Sequence, residues 1–189
     1  MRVAFGFTVH SGWAALAVAG ENQAGALLLV DRRRIELVEE QWAKQPYHAA
    51  EDLEPEAARD VVLRGTTEAY RIALRQLQGA VQRETARGNQ VAACAVLVGA
   101  GMPSWSTDEI LAVHFRMHKA EGVLFRAALT AAAAALGLHP TAIPEKELAA
   151  IAKERGLLPT LASMGKSAGP PWGKDQKDAA LAALLALRV

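Results

Sequence analysis

A chain of 189 residues, 51% hydrophobic and 22% charged, carries enough apolar material for one globular domain, and these proportions exclude disorder along its whole length. Lys plus Arg number 21 and Asp plus Glu 20, a formal charge of +1, so no global charge marks a nucleic-acid binder and any such function must use local patches. The single Cys94 lies in an apolar run and can form no internal disulfide, which predicts a buried thiol, a reducing compartment and a cytoplasmic location.

The start, Met1 to Gly6, reads as a strand rather than a secretory signal. Val3–Thr8 and Ala14–Ala19 are short apolar runs separated by a turn at Val9 to Trp13. Ala26–Val30 and Arg32–Val38 follow as a third and a fourth short strand, giving an antiparallel meander. Lys44 to Pro55, with two prolines, is read as a loop. A long helix is expected after Glu54-Pro55, because proline suits a first helical turn and Val62, Thr66, Ala69, Ala73, Leu77 and Ala80 recur at helical spacing. Gly88-Asn89 ends it.

Val91–Val98 is a continuous apolar run between turn residues and reads as a strand buried on both faces. Ser106 or Thr107 caps the next helix, which carries Asp108 and Glu109 in its first turn and runs to Gly137 with a bend near Gly122. Its most apolar stretch, Ala127 to Leu138, is about half a membrane span, so no membrane association is expected. His139–Ile143 is a strand, Glu145–Arg155 a short helix, Leu157 to Gly173 a glycine- and proline-rich loop, and Asp175–Leu187 a last helix. The order β-β-β-α-β-α-β-α implies a three-layer α/β fold, a mixed central sheet with helices on both faces, as one domain over residues 1–189. That is the order of the RNase H-like fold.

Three segments resemble RuvC-type Holliday-junction resolvases, a branch of that superfamily. Val3 to Val18 is similar to their first hairpin, His118-Lys119-Ala120-Glu121-Gly122-Val123-Leu124 to the glycine-containing helix after their central strand, and Asp175-Gln176-Lys177-Asp178-Ala179-Ala180-Leu181-Ala182 to their closing helix with two acids three apart. The resemblance implies a nuclease scaffold with magnesium or manganese as cofactor and DNA or RNA as partner, and leaves a homodimer open. It also implies an Asp on the first strand, where this chain has Thr8, and a Glu at the end of the central strand, where it has Val96, Leu97 or Val98. Two-metal cleavage needs acids holding cations roughly 3.5–4 Å apart, and magnesium demands oxygen ligands. A threonine hydroxyl and a valine are poor replacements.

The residues singled out for function are therefore few. Asp175 and Asp178 share one face at a helix start and are the candidate catalytic and metal-ligating pair; a capped, solvated helix end is the bland alternative. Thr8, His10 and Ser11 from the hairpin, with Lys174 beside the acids, are candidate binding residues. Ser163-Met164-Gly165-Lys166-Ser167 ends in Gly-Lys-Ser, but the upstream glycine of a phosphate loop is missing, so a mobile basic loop presenting Lys166 is expected. His114, His118 and Glu121 share a helix face and offer a weak transition-metal pattern against a packing role. His48 and His139 stand isolated. Arg32-Arg33-Arg34 reads as protection of a strand edge, and Trp105 and Trp172 as base-stacking residues or lids over the core.

With these departures, the resemblance implies a catalytically degenerate RuvC-like domain that retains binding, with nucleic acid as the ligand by analogy alone. An active Mg- or Mn-dependent endonuclease that recruits Asp108, Glu109 or Glu121 as a further acid is the alternative, and a structural or assembly subunit the second.

Overall fold

The computed structural model describes residues 1–188; Val189, the last residue of the expected domain, lies outside them. One mixed sheet holds five strands in the order β3-β2-β1-β4-β5, namely β1 Arg2–His10, β2 Trp13–Glu21, β3 Leu27–Glu36, β4 Gln90–Val98 and β5 Pro140–Pro144. The first three are antiparallel neighbours, whereas β4 and β5 run parallel to β1. The helices are α1 Pro55–Ala86, α2 Thr107–Leu111, α3 His114–Ala135, α4 Leu148–Glu154, α5 Leu158–Ala168 and α6 Lys174–Leu187. No described helix is long and apolar enough to cross a membrane.

Strand alternation sorts the two faces of the sheet by side-chain size. Val3, Phe5, Phe7 and Val9 of β1 join Leu16 and Val18 of β2 and Val96 of β4 in a core with Ala73 and Leu77 of α1 and Phe125 and Leu129 of α3. Each large apolar side chain buried there stabilises the fold by roughly 1.5–3 kcal/mol. The opposite face is paved with small residues, Ala4, Gly6 and Thr8 of β1 opposite Ala19, Ala17 and Ala15 of β2. The alanine-rich α6 lies on it, with α4 and α5 packed alongside. At Gly6 an added Cβ would run into the backbone carbonyl of Ala179 and the backbone nitrogen of Ala183, closer than any real side chain could sit. Small residues on both partners thus let α6 approach the middle of β1 at backbone distance.

Four expectations need correction. The third and fourth short strands are one strand, β3, which continues across a register shift where Asp31 pairs with Val18 and Leu29 with Ala19, leaving Val30 as the extra residue. The Lys44–Pro55 loop is partly wound, with 3₁₀ turns at Gln41–Lys44 and His48–Ala50. The helix after Ser106 is not one element to Gly137, although it runs unbroken through Gly122. It breaks at Val113, extended at φ −143°, which separates the capped α2 from α3. Finally, Leu157 to Gly173 is mostly helix α5: Pro159 sits in its first turn, and Gly165 is tolerated inside it because the Trp172 indole takes the space of a Cβ, 2.5 Å from that position.

Candidate functional site

The β1–β2 hairpin turns over two residues, Ser11-Gly12, and needs glycine at the second because its φ is +80° and a Cβ would meet the Lys44 Cγ at 2.6 Å. The turn sets His10 beside Trp13, with ring centroids 4.3 Å apart and nearly parallel planes. Arg34 from β3 places its guanidinium 3.9 Å from the Trp13 ring centre. The strand order therefore puts an aromatic residue between two cationic or protonatable ones on the rim of the sheet.

Thr8 and His10 are even-numbered on β1 and point to the α6 side. The Thr8 hydroxyl, 4% exposed, donates to the Asp175 backbone carbonyl at 3.0 Å. His10 Nε2 lies 3.2 Å from Asp175 Oδ1, both side chains more than a third exposed, so this pair contributes little to stability. Ser11 lies at the turn and lines a cavity of about 220 Å³ with His10, Glu121 and Arg126. Thr8 and His10 thus meet Asp175 at one rim, whereas Ser11 faces α3.

At that rim Asp178 and Glu145 have cationic neighbours, and Asp175 faces His10. Lys174 Nζ is 2.6 Å from Asp178 Oδ2 and 3.6 Å from Glu145 Oε1, and Arg126 lies 3.8 Å from the other Glu145 oxygen. The hydrogen bond to Asp178, then its charge, holds the Lys174 ammonium above the usual lysine pKa. Of the three residues considered for the end of the central strand, Leu97 shares the α6 face with Thr8, and it is apolar and 1% exposed. Between the ends of β4 and β5 and Lys174 opens a cavity of about 620 Å³, bordered by Val98 to Ala100 and Pro144 to Glu147.

Other sequence candidates have local duties. Lys166 lies in α5, not in a mobile loop, and Ser167 hydrogen-bonds back to the Met164 carbonyl within the same helix, so no phosphate loop exists there. Arg32 is a tether rather than edge protection alone: its guanidinium donates to the Ala168, Gly169 and Pro171 carbonyls and to Gln176 Oε1, fastening the connection that leads into α6. Trp172 packs with the core beneath α5, 5.6 Å from Arg32, and Trp105 packs near Ile110 with Arg116 over its ring. Asp108 is bound by both nitrogens of an Arg59 fork at 2.7 and 2.6 Å, which lowers its pKa. Glu109 closes a capping box with Ser106, whose donors hold its carboxyl below the usual range. Neither of these two acids joins the rim.

Glu121, the third acid considered, is buried and bound to His48 Nδ1 at 2.7 Å. Sequence reasoning missed this pairing and set His48 aside as isolated, because nothing local links residue 48 to residue 121. It also missed Glu145 and Arg126. The one available signal was the position of Glu145 directly after the last strand, where open α/β sheets gather ligand-binding groups.

No protein-family profile matches the sequence, and no curated protein does. Solved structures do. The Thermus thermophilus RuvC structure in complex with Holliday junction substrate is 13% identical with a TM-score of 0.54, covering 96% of this chain and 90% of that one. A second Thermus thermophilus RuvC structure is 12% identical with the same TM-score, covering 96% and 91%. Likeness at this identity establishes the fold: the chain is RuvC-like and RNase H-like in architecture, as its element order implied.

Proposed function

We propose that the protein is a nucleic-acid-binding domain with a resolvase fold and a degenerate, non-cutting centre. The observation that carries this reading is the place of Lys174, whose ammonium sits between Asp178 and Glu145 as a built-in cation. A paired magnesium or manganese centre fits poorly there. Thr8 spends its hydroxyl on the Asp175 carbonyl, Leu97 offers no ligand, and Lys174 already occupies Asp178 and Glu145, which leaves Asp175 as the one rim acid without a lysine, whereas two-metal cleavage needs several free carboxylates around two cations. Binding is supported by the shared fold, since one structural neighbour is held in complex with Holliday junction substrate. It is also supported by the groups on this rim, where Trp13 holds His10 and Arg34 as donors for phosphate.

A second reading is favoured by Glu145. If substrate draws Lys174 away, Asp175, Asp178 and Glu145 become three acids on one rim, enough for a rearranged metal-dependent nuclease.

Fluorescence anisotropy with a labelled four-way junction and a linear duplex, in magnesium, manganese or EDTA, tests both readings. The expected result is binding that weakens steeply with salt, as counterion release requires, with intact DNA in every condition. Cleavage that needs the metal and disappears in Asp178→Ala would establish the nuclease instead. Absence of binding to any nucleic acid, with a stable oligomer in solution, would overturn both in favour of an assembly role.

A further inference from the structure

Three histidines converge on the α1–α3 side of the molecule. His48 comes from the 3₁₀ turn between β3 and α1, while His114 and His118 lie one turn apart at the start of α3. One ring nitrogen from each lies within 4.8 Å of the others, and the three ring centres are 4.5 to 4.9 Å apart.

Two of the rings are oriented by carboxylates. His48 Nδ1 is 2.7 Å from Glu121 Oε2, and the other Glu121 oxygen accepts the His48 backbone N–H at 3.2 Å. His114 Nδ1 is 3.0 Å from Glu51 Oε1. A carboxylate at Nδ1 keeps the proton there and leaves Nε2 with its lone pair, the arrangement in which metal-bound histidines are held. His48 Nε2 is buried without any hydrogen-bond partner, an expensive state for a polar atom with nothing to bind. His114 Nε2 and His118 Nε2 face each other at 3.2 Å. Tetrahedral coordination at 2.0–2.1 Å per nitrogen spaces neighbouring ligands at about 3.3 Å, so this pair already stands at ligand spacing. Solvated imidazoles on a helix surface need neither the buried orienting acid nor the third ring brought in from a distant turn.

We propose that His48, His114 and His118 bind one transition-metal ion of the zinc class through their Nε2 atoms, with Glu121 and Glu51 as orienting partners and a fourth position open to solvent beside the exposed His114. Three imidazoles select zinc, cobalt, nickel or copper over magnesium and calcium, which take oxygen ligands. The ion ties the β3–α1 connection to α3, and through Glu121 it stiffens the wall of the cavity that His10 and Ser11 also line. Its ligands are separate from Asp175, Asp178 and Glu145, so the site does not rest on the proposed nucleic-acid binding.

The test uses untagged protein stripped with EDTA, titrated with zinc by calorimetry and with cobalt by visible absorption. One equivalent should bind, with the intense visible bands of tetrahedral cobalt, and zinc should raise the thermal midpoint. His118→Ala, at an exposed position that leaves the fold intact, should abolish all three signals. Glu121→Gln should weaken binding roughly tenfold to hundredfold, and Asp178→Asn should change nothing. Failure to take up one equivalent, or full-strength binding in His118→Ala with circular dichroism like the parent, would overturn the site.

Discussion

Thr8 and Asp175, 167 residues apart in the chain, are joined by a hydrogen bond of 3.0 Å from the threonine hydroxyl to the aspartate carbonyl. The bond fastens the N-terminal turn of α6 to the end of β1 and sets the height at which Asp175 and Asp178 stand over the sheet. Thr8→Val keeps the shape but removes a second donor from a carbonyl that α6 itself already bonds, so it should destabilise the protein by about 1 kcal/mol. Thr8→Ser, which keeps the hydroxyl, should recover most of that. Urea denaturation of the pair measures both, and equal stability of Thr8→Val and the parent would remove the fastening role.

Gly6 marks where helix and strand meet at backbone distance. A methyl group there collides with the Ala179 carbonyl and the Ala183 nitrogen, neither of which is a flexible side-chain end. Gly6→Ala should therefore cost about 3 kcal/mol or displace α6, and hydrogen exchange should show α6 amides losing protection first. Gly101→Ala, where nothing lies within 4 Å of the added methyl, is the control and should be close to neutral.

Lys174 is the resident cation of the rim in the proposed reading. Lys174→Ala removes the ammonium 2.6 Å from Asp178, and manganese affinity should rise roughly tenfold, which is about 1.4 kcal/mol. Electron paramagnetic resonance of bound manganese, in a His118→Ala background so that the histidine cluster takes no part, reads this directly. An unchanged affinity would mean that the lysine does not stand in for a metal.

Burial pushes the Cys94 thiol up to about 12. Its folded pKa lies above the unfolded value, so the thiol's stabilising effect is complete below pH about 8.5–9 and is lost between there and about pH 12. Alkylation of Cys94 at pH 9 should accordingly be limited by unfolding, with rates that follow urea concentration. Rapid labelling of the folded protein would contradict the burial. Cys94→Ala should flatten the alkaline fall in stability.

The element order was legible because it depends on local signals. Continuous apolar runs at β1 and β4, Pro55 at a helix start and Gly88 at its end each state their role within a few residues. The errors arose where a distant partner overrides local composition. Gly165, Gly169 and Pro170 suggest a loop by themselves, yet α5 forms because Trp172 covers Gly165 and the Arg32 fork holds the carbonyls at the helix end. The site divides in the same way. Asp175 and Asp178 are visible as a helical pair, whereas Glu145 and His48 gain their importance only from neighbours that folding brings to them.

Side-chain periodicity and turn chemistry are written into consecutive residues, so by themselves they determined the order of the five strands, the long first helix and the last helix. Which charged groups from distant segments stand together was decided by tertiary structure. Lys174 meets Glu145, and His48 meets His114 and His118, across loops whose closure is set by packing of the whole sheet, and no local pattern encodes a distance between residues so far apart in the chain.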